Sequence, residues 1–403
     1  MKRHTPNNTR LAQGQKGTAT LVVSLMVLMI IAMVSVFTSK SVFVEKKIAN
    51  NAFRAQQALE AAEAGLAAAV EYYSENVDAD SDGVLDPNVF DTNADGIGDA
   101  NTATVGNGYT VTVTPTDSSP ADAPFTVITV QSTGYSDDFT ASRTLTQVLS
   151  TLNALPMSPD NPLTTRGSII VSGSATVINP EGHSTIWSGS DVDLGSNNST
   201  ATEVADMTDA GYPTCMDTSM TCSTVASSNK VTVGLDVVEH DSSLDNLSQN
   251  QFFENFFGMT PANYREAMVT IDTTAASAAT DIANAQGEVI WIEGNTSLSS
   301  ITVGCSQNVT GSNYCPDGVM RPSIVIVNGD LELSGSPQFY GILFVNGAVS
   351  IKGGATVYGA MVASNDIANQ TGGSLDITYH SDLLASASRN GPLGSSSGTW
   401  RDF

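Results

Sequence analysis

Hydrophobic positions follow three different patterns along this chain. The first is a continuous apolar run, Thr18–Thr38, with no charged residue between Gly17 and Ser39. At 1.5 Å per residue such a run is long enough to cross a hydrocarbon core of roughly 30 Å. No Pro or Gly occurs between Thr18 and Gly65, and the sequence after the run is rich in Ala, Glu, Gln and Leu, the strong helix formers. Leu59, Ala62, Leu66, Ala69 and Tyr73 recur at three- and four-residue steps, an apolar stripe along one face. The pattern predicts one helix from the apolar run to about Tyr73, on the order of 80 Å long.

From Gly108 to Leu152 the period becomes two. Tyr109, Val111 and Val113 alternate with Thr, Phe125–Val130 reads FTVITV, and Thr140–Leu149 forms a third run; turns are expected at Asp117–Pro120 and Gly134–Asp138. This predicts a short antiparallel meander. Asn153–Thr165, with Pro156, Pro159 and Pro162, reads as a linker.

The third pattern is a repeat. Ile324–Gly341 (IVIVNGDLELSGSPQFYG) aligns without a gap on Ile342–Gly359 (ILFVNGAVSIKGGATVYG), placing Val327-Asn328-Gly329 on Val345-Asn346-Gly347 and Tyr340-Gly341 on Tyr358-Gly359. A fading copy, AMVASNDI, follows, and related pieces lie at Val289–Leu298 and Ile169–Val177. Short apolar strands that turn at Asn-Gly or Ser-Gly suggest a β-solenoid, each rung burying alternate Ile, Val and Leu on its neighbours. A β-sandwich of repeated hairpins is the alternative. Ser243–Met268 is the one further stretch expected to be helical, and Phe252, Phe253 and Phe256 share a face that would cover the head core or line an aromatic groove.

Composition narrows the partners. The 403 residues allow two or three domains, and the formal charge of −25 argues against nucleic acid, which requires clustered Lys and Arg. Lys2, Arg3, Arg10 and Lys16, four of 16 basic residues, precede the apolar run and fit a cytoplasmic leader with the remainder exported; Lys40, Lys46 and Lys47 weaken that asymmetry. An ordinary signal peptide has a shorter apolar core and a small-residue cleavage site. Here the run is of spanning length and fused to a helix, so it reads as a retained or N-terminally trimmed anchor.

Between helix and meander lie two units with the same spacing, Asp78-x-Asp80-x-Asp82-Gly83-x-x-Asp86 and Asp91-x-Asn93-x-Asp95-Gly96-x-x-Asp99. Oxygen donors at the first, third and fifth loop positions, followed by a Gly for a sharp turn, suit calcium, with the carbonyls of Val84 and Ile97 completing each set. Val89 and Thr102 stand where an EF-hand has its bidentate Glu, so the pair looks instead like the Asp-rich loops of thrombospondin type 3 repeats. A flexible acidic linker is the alternative. Cys215, Cys222, Cys305 and Cys315 permit three pairings; an exported chain favours disulfides, and the local pairs Cys215–Cys222 and Cys305–Cys315 are expected. The four His residues, His4, His183, His240 and His380, lie in no recognised catalytic motif, and Glu239-His240-Asp241 reads as a solvated acidic surface. The expectation is a protein that is not an enzyme.

The segment from residue 13 to about 75 resembles the N-terminal region of PilX-type minor pilins of type IV pili. The basic leader, Gly17 before the apolar run, Glu45 with the following Ile48-Ala49-Asn50, and QALEAAEAGL at Gln57–Leu66 carry the resemblance. It implies a helix first held in the inner membrane, then packed with other pilin subunits in a fibre or its initiating complex, with leader cleavage between Gly17 and Thr18. One feature departs from major pilins, which carry Glu at the fifth mature residue: here that residue would be Val22. The expected class is α+β. The expected order is a leader (1–17), a transmembrane and stalk helix (18–75), Asp-rich calcium loops (76–102), a pilin-like meander (103–152), a linker (153–165) and a β-rich, solenoid-like head (166–403). The functional expectation is a minor pilin that displays its head, periplasmic before assembly and extracellular after it, for pilus assembly, adhesion or another surface interaction. An inner-membrane envelope scaffold, or a calcium-dependent adhesin outside any pilus, remains the alternative.

Overall fold

A computed structural model describes residues 16–75, 88–90, 100–105, 109–117, 127–171, 173–195, 201–213, 222–306, 315, 320–369, 373–395 and 398–402. Helix α1, Lys16–Glu75, is unbroken over 60 residues. Every residue from Ala19 to Phe53 is exposed. Within this half, the hydroxyls of Ser35 and Thr38 fold back onto the carbonyls of Ile31 and Val34, each at 2.8 Å, which removes two donors from an otherwise apolar surface. From Gln57 onward one face is buried, at Gln57, Ala58, Ala61, Ala62, Leu66, Ala69 and Tyr73. The predicted stripe is therefore the packed face, with Leu59 at its margin.

That face lies on an antiparallel meander of β1 (Thr102–Val105), β2 (Tyr109–Asp117), β3 (Val127–Tyr135) and β4 (Ser142–Thr151). Val111, Val113, Ile128, Val130, Leu145 and Leu149 point to the helix, as period-two alternation requires. Two details differ from the sequence expectation. Gly134 lies inside β3 rather than in a turn, and the turn falls at Ser136–Ala141, closed by the Ser136 amide donating to the Ala141 carbonyl at 2.9 Å. Leu393–Ser395 and Arg401–Asp402, expected in the head, pair with β4 instead and belong to this sheet by their hydrogen bonds.

The head is mostly β and its ladders are largely parallel. Strands Val289–Glu293, Ser323–Asn328, Gln338–Val345 and Gly354–Ala363 stack in sequence order. The two repeat copies lie directly on each other, with Val327 opposite Val345, Tyr340 opposite Tyr358 and Gly341 opposite Gly359. The Tyr340 and Tyr358 rings stack 4.9 Å apart, and the Asn346 side-chain amide donates to Asn328 Oδ1 at 2.9 Å. A second parallel ladder runs beside the first through Thr296–Ser299, Leu331–Ser334, Val349–Ile351 and Ile367–Asn369. The next strands in both ladders come from far upstream: Leu163–Thr165 pairs with Met361–Ala363, Ile169–Val171 with Ile367–Asn369, and Ser174–Thr176 begins the pairing with Ser374–Asp376. Thus the first head strands sit on top of the last ones.

Strands such as Ser323–Asn328 are buried on both faces, the reason they read as continuous apolar runs. One face turns inward to Ile290, Val325, Leu343 and Met361. The other is covered by helices, and here one expected helix resolves into three: Ser242–Asp245, Gln249–Phe257 and Pro261–Met268. Gly258, at φ 70°, ends the middle helix, and Thr260 with Pro261 starts the next. Phe252, Phe253, Phe256 and Phe257 are all buried against Trp291, Ile324, Ile342 and Phe344, filling the space an aromatic groove would need. A helix absent from the sequence expectation, Ser381–Ala387, packs Leu384 and Ala387 into the same cluster. The expected linker is also docked there: Ala154 and Leu155 are buried, and the Tyr264 hydroxyl donates to the Ala154 carbonyl at 2.7 Å.

Two buried ionisable groups mark the upper part of the stack. Asp236 accepts hydroxyl hydrogen bonds from Thr185, Ser227, Ser228 and Thr202, and although burial pushes its carboxyl up, these donors outweigh it and hold the group below its ordinary value. His380 lies where the last strand passes into helix Ser381–Ala387, beside the junction at which Glu181 Oε1 accepts from the Ser381 amide at 3.0 Å. It is 2 % exposed, and among the described residues neither ring nitrogen has a hydrogen-bond partner. Burial lowers its pKa to about 4, only partly opposed by Asp382.

The unfolded chain therefore binds a proton at His380 more readily than the folded one, and stability falls as pH drops from about 6.5 towards 4. The limiting loss from this residue is about 3 kcal/mol. Thermal melts of wild type and His380→Leu at pH 7 and pH 4.5 should show a smaller acid-induced drop in the variant. Equal drops would place the acid sensitivity elsewhere.

Candidate functional site

The candidate site is α1 itself, because its two halves have opposite surroundings. Residues 19–53 present Leu, Val, Ile, Met and Phe side chains to the outside, most of them more than half exposed. An apolar surface of that length requires lipid or other apolar helices around it. By length and composition the helix meets the requirement for a membrane span. Its charged groups near the middle are few: Lys40, Glu45, Lys46 and Lys47, with Glu45 facing the Ser41 hydroxyl at 3.4 Å. Gly17 and Thr18, the expected cleavage pair, fall in the first turn of α1. Val22, the fifth residue after that bond, is exposed.

The packed half is fixed by close contact at small residues. β3 crosses α1 where a Cβ on Gly134 would stand 2.3 Å from both the Ala58 carbonyl oxygen and the Ala62 nitrogen. One turn on, a Cβ on Gly65 would stand 2.3 Å from Val111 Cγ2 and 2.5 Å from the Ser132 hydroxyl oxygen. Helix and sheet backbones therefore approach more closely than larger side chains allow. Two polar donors at this contact are paired across it: Ser132 Oγ donates to the Ala62 carbonyl at 2.8 Å, and Gln57 Nε2 donates to the Tyr109 hydroxyl at 3.0 Å, while Gln57 Oε1 is buried with no partner among the described residues. At the margin, Arg54 meets Asp138 at 2.6 Å. Hydrogen bonds from Thr140 and Ser136, with the Arg54 charge, hold the Asp138 carboxyl below its ordinary value despite some desolvation. Both partners are over a third exposed at the side chain, so this pair fixes position more than it stabilises.

The remaining predicted sites divide by location. The donors Asp78, Asp80, Asp82, Val84, Asp86, Asp91, Asn93, Asp95, Ile97 and Asp99 lie outside the described residues. The residues flanking the second unit are described: Phe90 and Ala100 form an antiparallel bridge, with amide–carbonyl hydrogen bonds of 2.8 and 3.0 Å, and Val89 is buried in the meander core. Among the described residues no group of His, Cys, Asp and Glu is arranged to hold a metal ion. Cys305 and Cys315 form a disulfide, Cys222 is also disulfide-bonded, and Cys215 lies outside the described residues. Asp241 caps helix Ser242–Asp245 and accepts from Trp187 Nε1 at 2.8 Å, whereas His240 pairs with exposed Asp191 at 3.1 Å. Glu239 accepts from the Val192 amide at 3.3 Å. The three side chains thus point to three separate partners.

Sequence periodicity identified Ala62, Leu66, Ala69 and Tyr73 but missed the contact made by Ala58, Ala61 and Gly65 with Ser132 and Gly134, and that of Gln57 with Tyr109. Its available signal was the density of small residues in QALEAAEAGL facing a glycine in a strand. Gly134→Val should destabilise the helix–meander module by on the order of 3 kcal/mol, because backbone atoms on both sides leave the new side chain no space. Thermal unfolding of the full chain in detergent checks this; an unchanged first transition would remove the close contact from the account.

Comparison with known proteins bears on the same helix. Residues 16–67 match the family described as PilX N-terminal. No curated protein matches the sequence. A crystal structure of the competence-associated pilin ComZ from Thermus thermophilus aligns over 87 % of this chain and 98 % of that one, at 12 % identity and a TM-score of 0.24. A score that low carries no inference about shared architecture. The matched residues are those that divide into an exposed apolar half and a packed half rich in small residues. Most of α1 is therefore similar to the N-terminal segment of the PilX family.

Proposed function

We propose that this protein is a structural minor pilin of a type IV pilus, held in the inner membrane by the exposed half of α1 and assembled through it beside other pilin subunits. The observation that carries the reading is the division of α1: residues 19–53 are exposed, with no charged side chain from Ala19 to Ser39, whereas Gln57–Tyr73 is tied to the meander. The exposed half suits lipid before assembly and neighbouring helices after it. The head would be displayed at the tip or flank of the fibre, contributing to pilus assembly, adhesion or another surface interaction. The role is architectural rather than catalytic.

Two finer readings accompany this one. The head is a β-solenoid, supported by parallel pairing of successive repeat copies at equivalent residues. The Asp78–Asp99 segment binds two calcium ions as a joint between stalk and meander. Its oxygen-only donor set suits a hard cation, and the Phe90–Ala100 bridge pairs the two residues that flank the second unit. An envelope scaffold anchored by an uncut helix is the reading to be separated from the pilin.

Shearing cells, separating fibres from membranes and reading the protein's N-terminus in each fraction by mass spectrometry tests the main proposal. A chain beginning at Thr18 in the fibre fraction is expected. A full-length chain confined to the inner membrane would establish the scaffold instead.

For calcium, a soluble fragment beginning at Ala52 keeps the packed half of α1. Its melting temperature should rise with Ca²⁺ and fall with a chelator, since a ligand that binds the native state stabilises it by mass action. Identical melts, together with no bound metal in titration, would return the segment to an acidic linker.

A further inference from the structure

The head is inserted into the meander sheet. The chain leaves β4 at Thr151, builds the head, and returns at Leu393 to complete the outer edge of β4, with Leu393 opposite Thr151, Ser395 opposite Leu149 and Arg401 opposite Thr146. Leu393 is buried in the same cluster as Leu149 and Tyr73. The Val148 amide donates to Thr399 Oγ1 at 3.2 Å across a sequence separation of 251 residues.

Outgoing and returning segments touch at the neck. The Leu152 amide donates to the Pro392 carbonyl at 2.9 Å, and the Ala154 amide to the Ser388 carbonyl at 2.8 Å. A Cβ on Gly391 would stand 2.1 Å from the Leu152 carbonyl oxygen, so this approach requires glycine. The head has the same kind of closure inside it, because its first strands pair with its last ones. The neck is consequently assembled by the head's own long-range junction.

This order has an energetic consequence. Joining two short edge strands to β4 across an unfolded loop of that length is opposed by loop-closure entropy, and two- and three-residue strands give little in return. Once the head has folded, its ends already lie side by side and that entropy has been spent within the larger core. We infer that the meander sheet is completed only in subunits whose head has folded, so that head folding controls the competence of the module carrying α1. A subunit with an unfolded head keeps β4 with an unpaired outer edge, a surface prone to wrong pairing. The consequence for fibre assembly rests on the pilin reading, whereas the coupling itself does not.

Hydrogen–deuterium exchange on the full-length protein in detergent micelles tests the coupling. Deleting residues 393–403 sets the exchange level of an open β4. Two other variants break the head and keep those residues. Gly359→Val strains a site at φ 124°, where a Cβ would stand 2.0 Å from the Gly341 carbonyl oxygen. Leu375→Asp with Ile377→Asp places two charges in the buried junction. In whichever variant the head strands lose protection, the amides in and just after β4 that face the returning chain, Val148 and Leu152 among them, should exchange at least tenfold faster than in wild type and match the deletion. Wild-type protection of β4 beside an unfolded head would overturn the inference. In sheared fibres the same variants should fall at least tenfold relative to wild type, and equal incorporation would overturn control of assembly. If wild type itself is missing from fibres the pilin reading fails, and the exchange comparison still decides the coupling.

Discussion

The close approach of α1 to β3 organises the molecule. A helix of 60 residues cannot be stabilised along its whole length by one small sheet, and this chain does not attempt it. Glycine at positions 65 and 134, with alanine at 58, 61 and 62, lets the two backbones come together over about two turns. Ser132 and Gln57 then give their donor groups partners across the contact, so the burial leaves those donors satisfied. From Ala19 to Phe53 the helix has no cover among the described residues, and its apolar run is available to a membrane or to other helices. Packing at one end of α1 is thus what makes the other end usable.

The head solves a different problem with related means. Its central strands are apolar on both faces, and parallel ladders of that kind need a second layer. The four-phenylalanine helix and its neighbours provide one, while the opposite faces meet in the interior. Polar residues remain where they can pair up or down the stack, as Asn328 and Asn346 do, or where several hydroxyls converge on one carboxylate, as at Asp236. Asn346 Oδ1 and both ring nitrogens of His380 depart from this rule among the described residues, and the titratable His380 is thereby a point of acid sensitivity.

The connection between the two parts is firmer than a proline-containing stretch suggests. Residues 152–165 are held by Phe256, Tyr264 and Tyr379, and the returning chain runs beside them into the sheet. The head is therefore joined to the helix–meander module through two neighbouring segments and a shared strand, an arrangement that limits swivelling between them.

Local pattern determined a good deal of this protein. A charge-free span followed by uninterrupted helix formers dictates a long helix, period-two alternation dictates the meander, and the 18-residue alignment of Ile324 with Ile342 is the register the ladder adopts. The anchoring half of the candidate site was legible for the same reason: its chemistry resides in consecutive residues. Other features arise only when distant segments meet. Gly134 reads as a turn until β3 is laid across α1, Asn153–Thr165 reads as a linker until the Phe cluster receives Ala154 and Leu155, and the last strands read as head until β4 offers them an edge. No short window contains both partners of those contacts, so tertiary structure alone decided them. The order of the stack is of the same kind, because placing Leu163–Thr165 beside Met361–Ala363 depends on which apolar faces remain uncovered after the local rungs have formed.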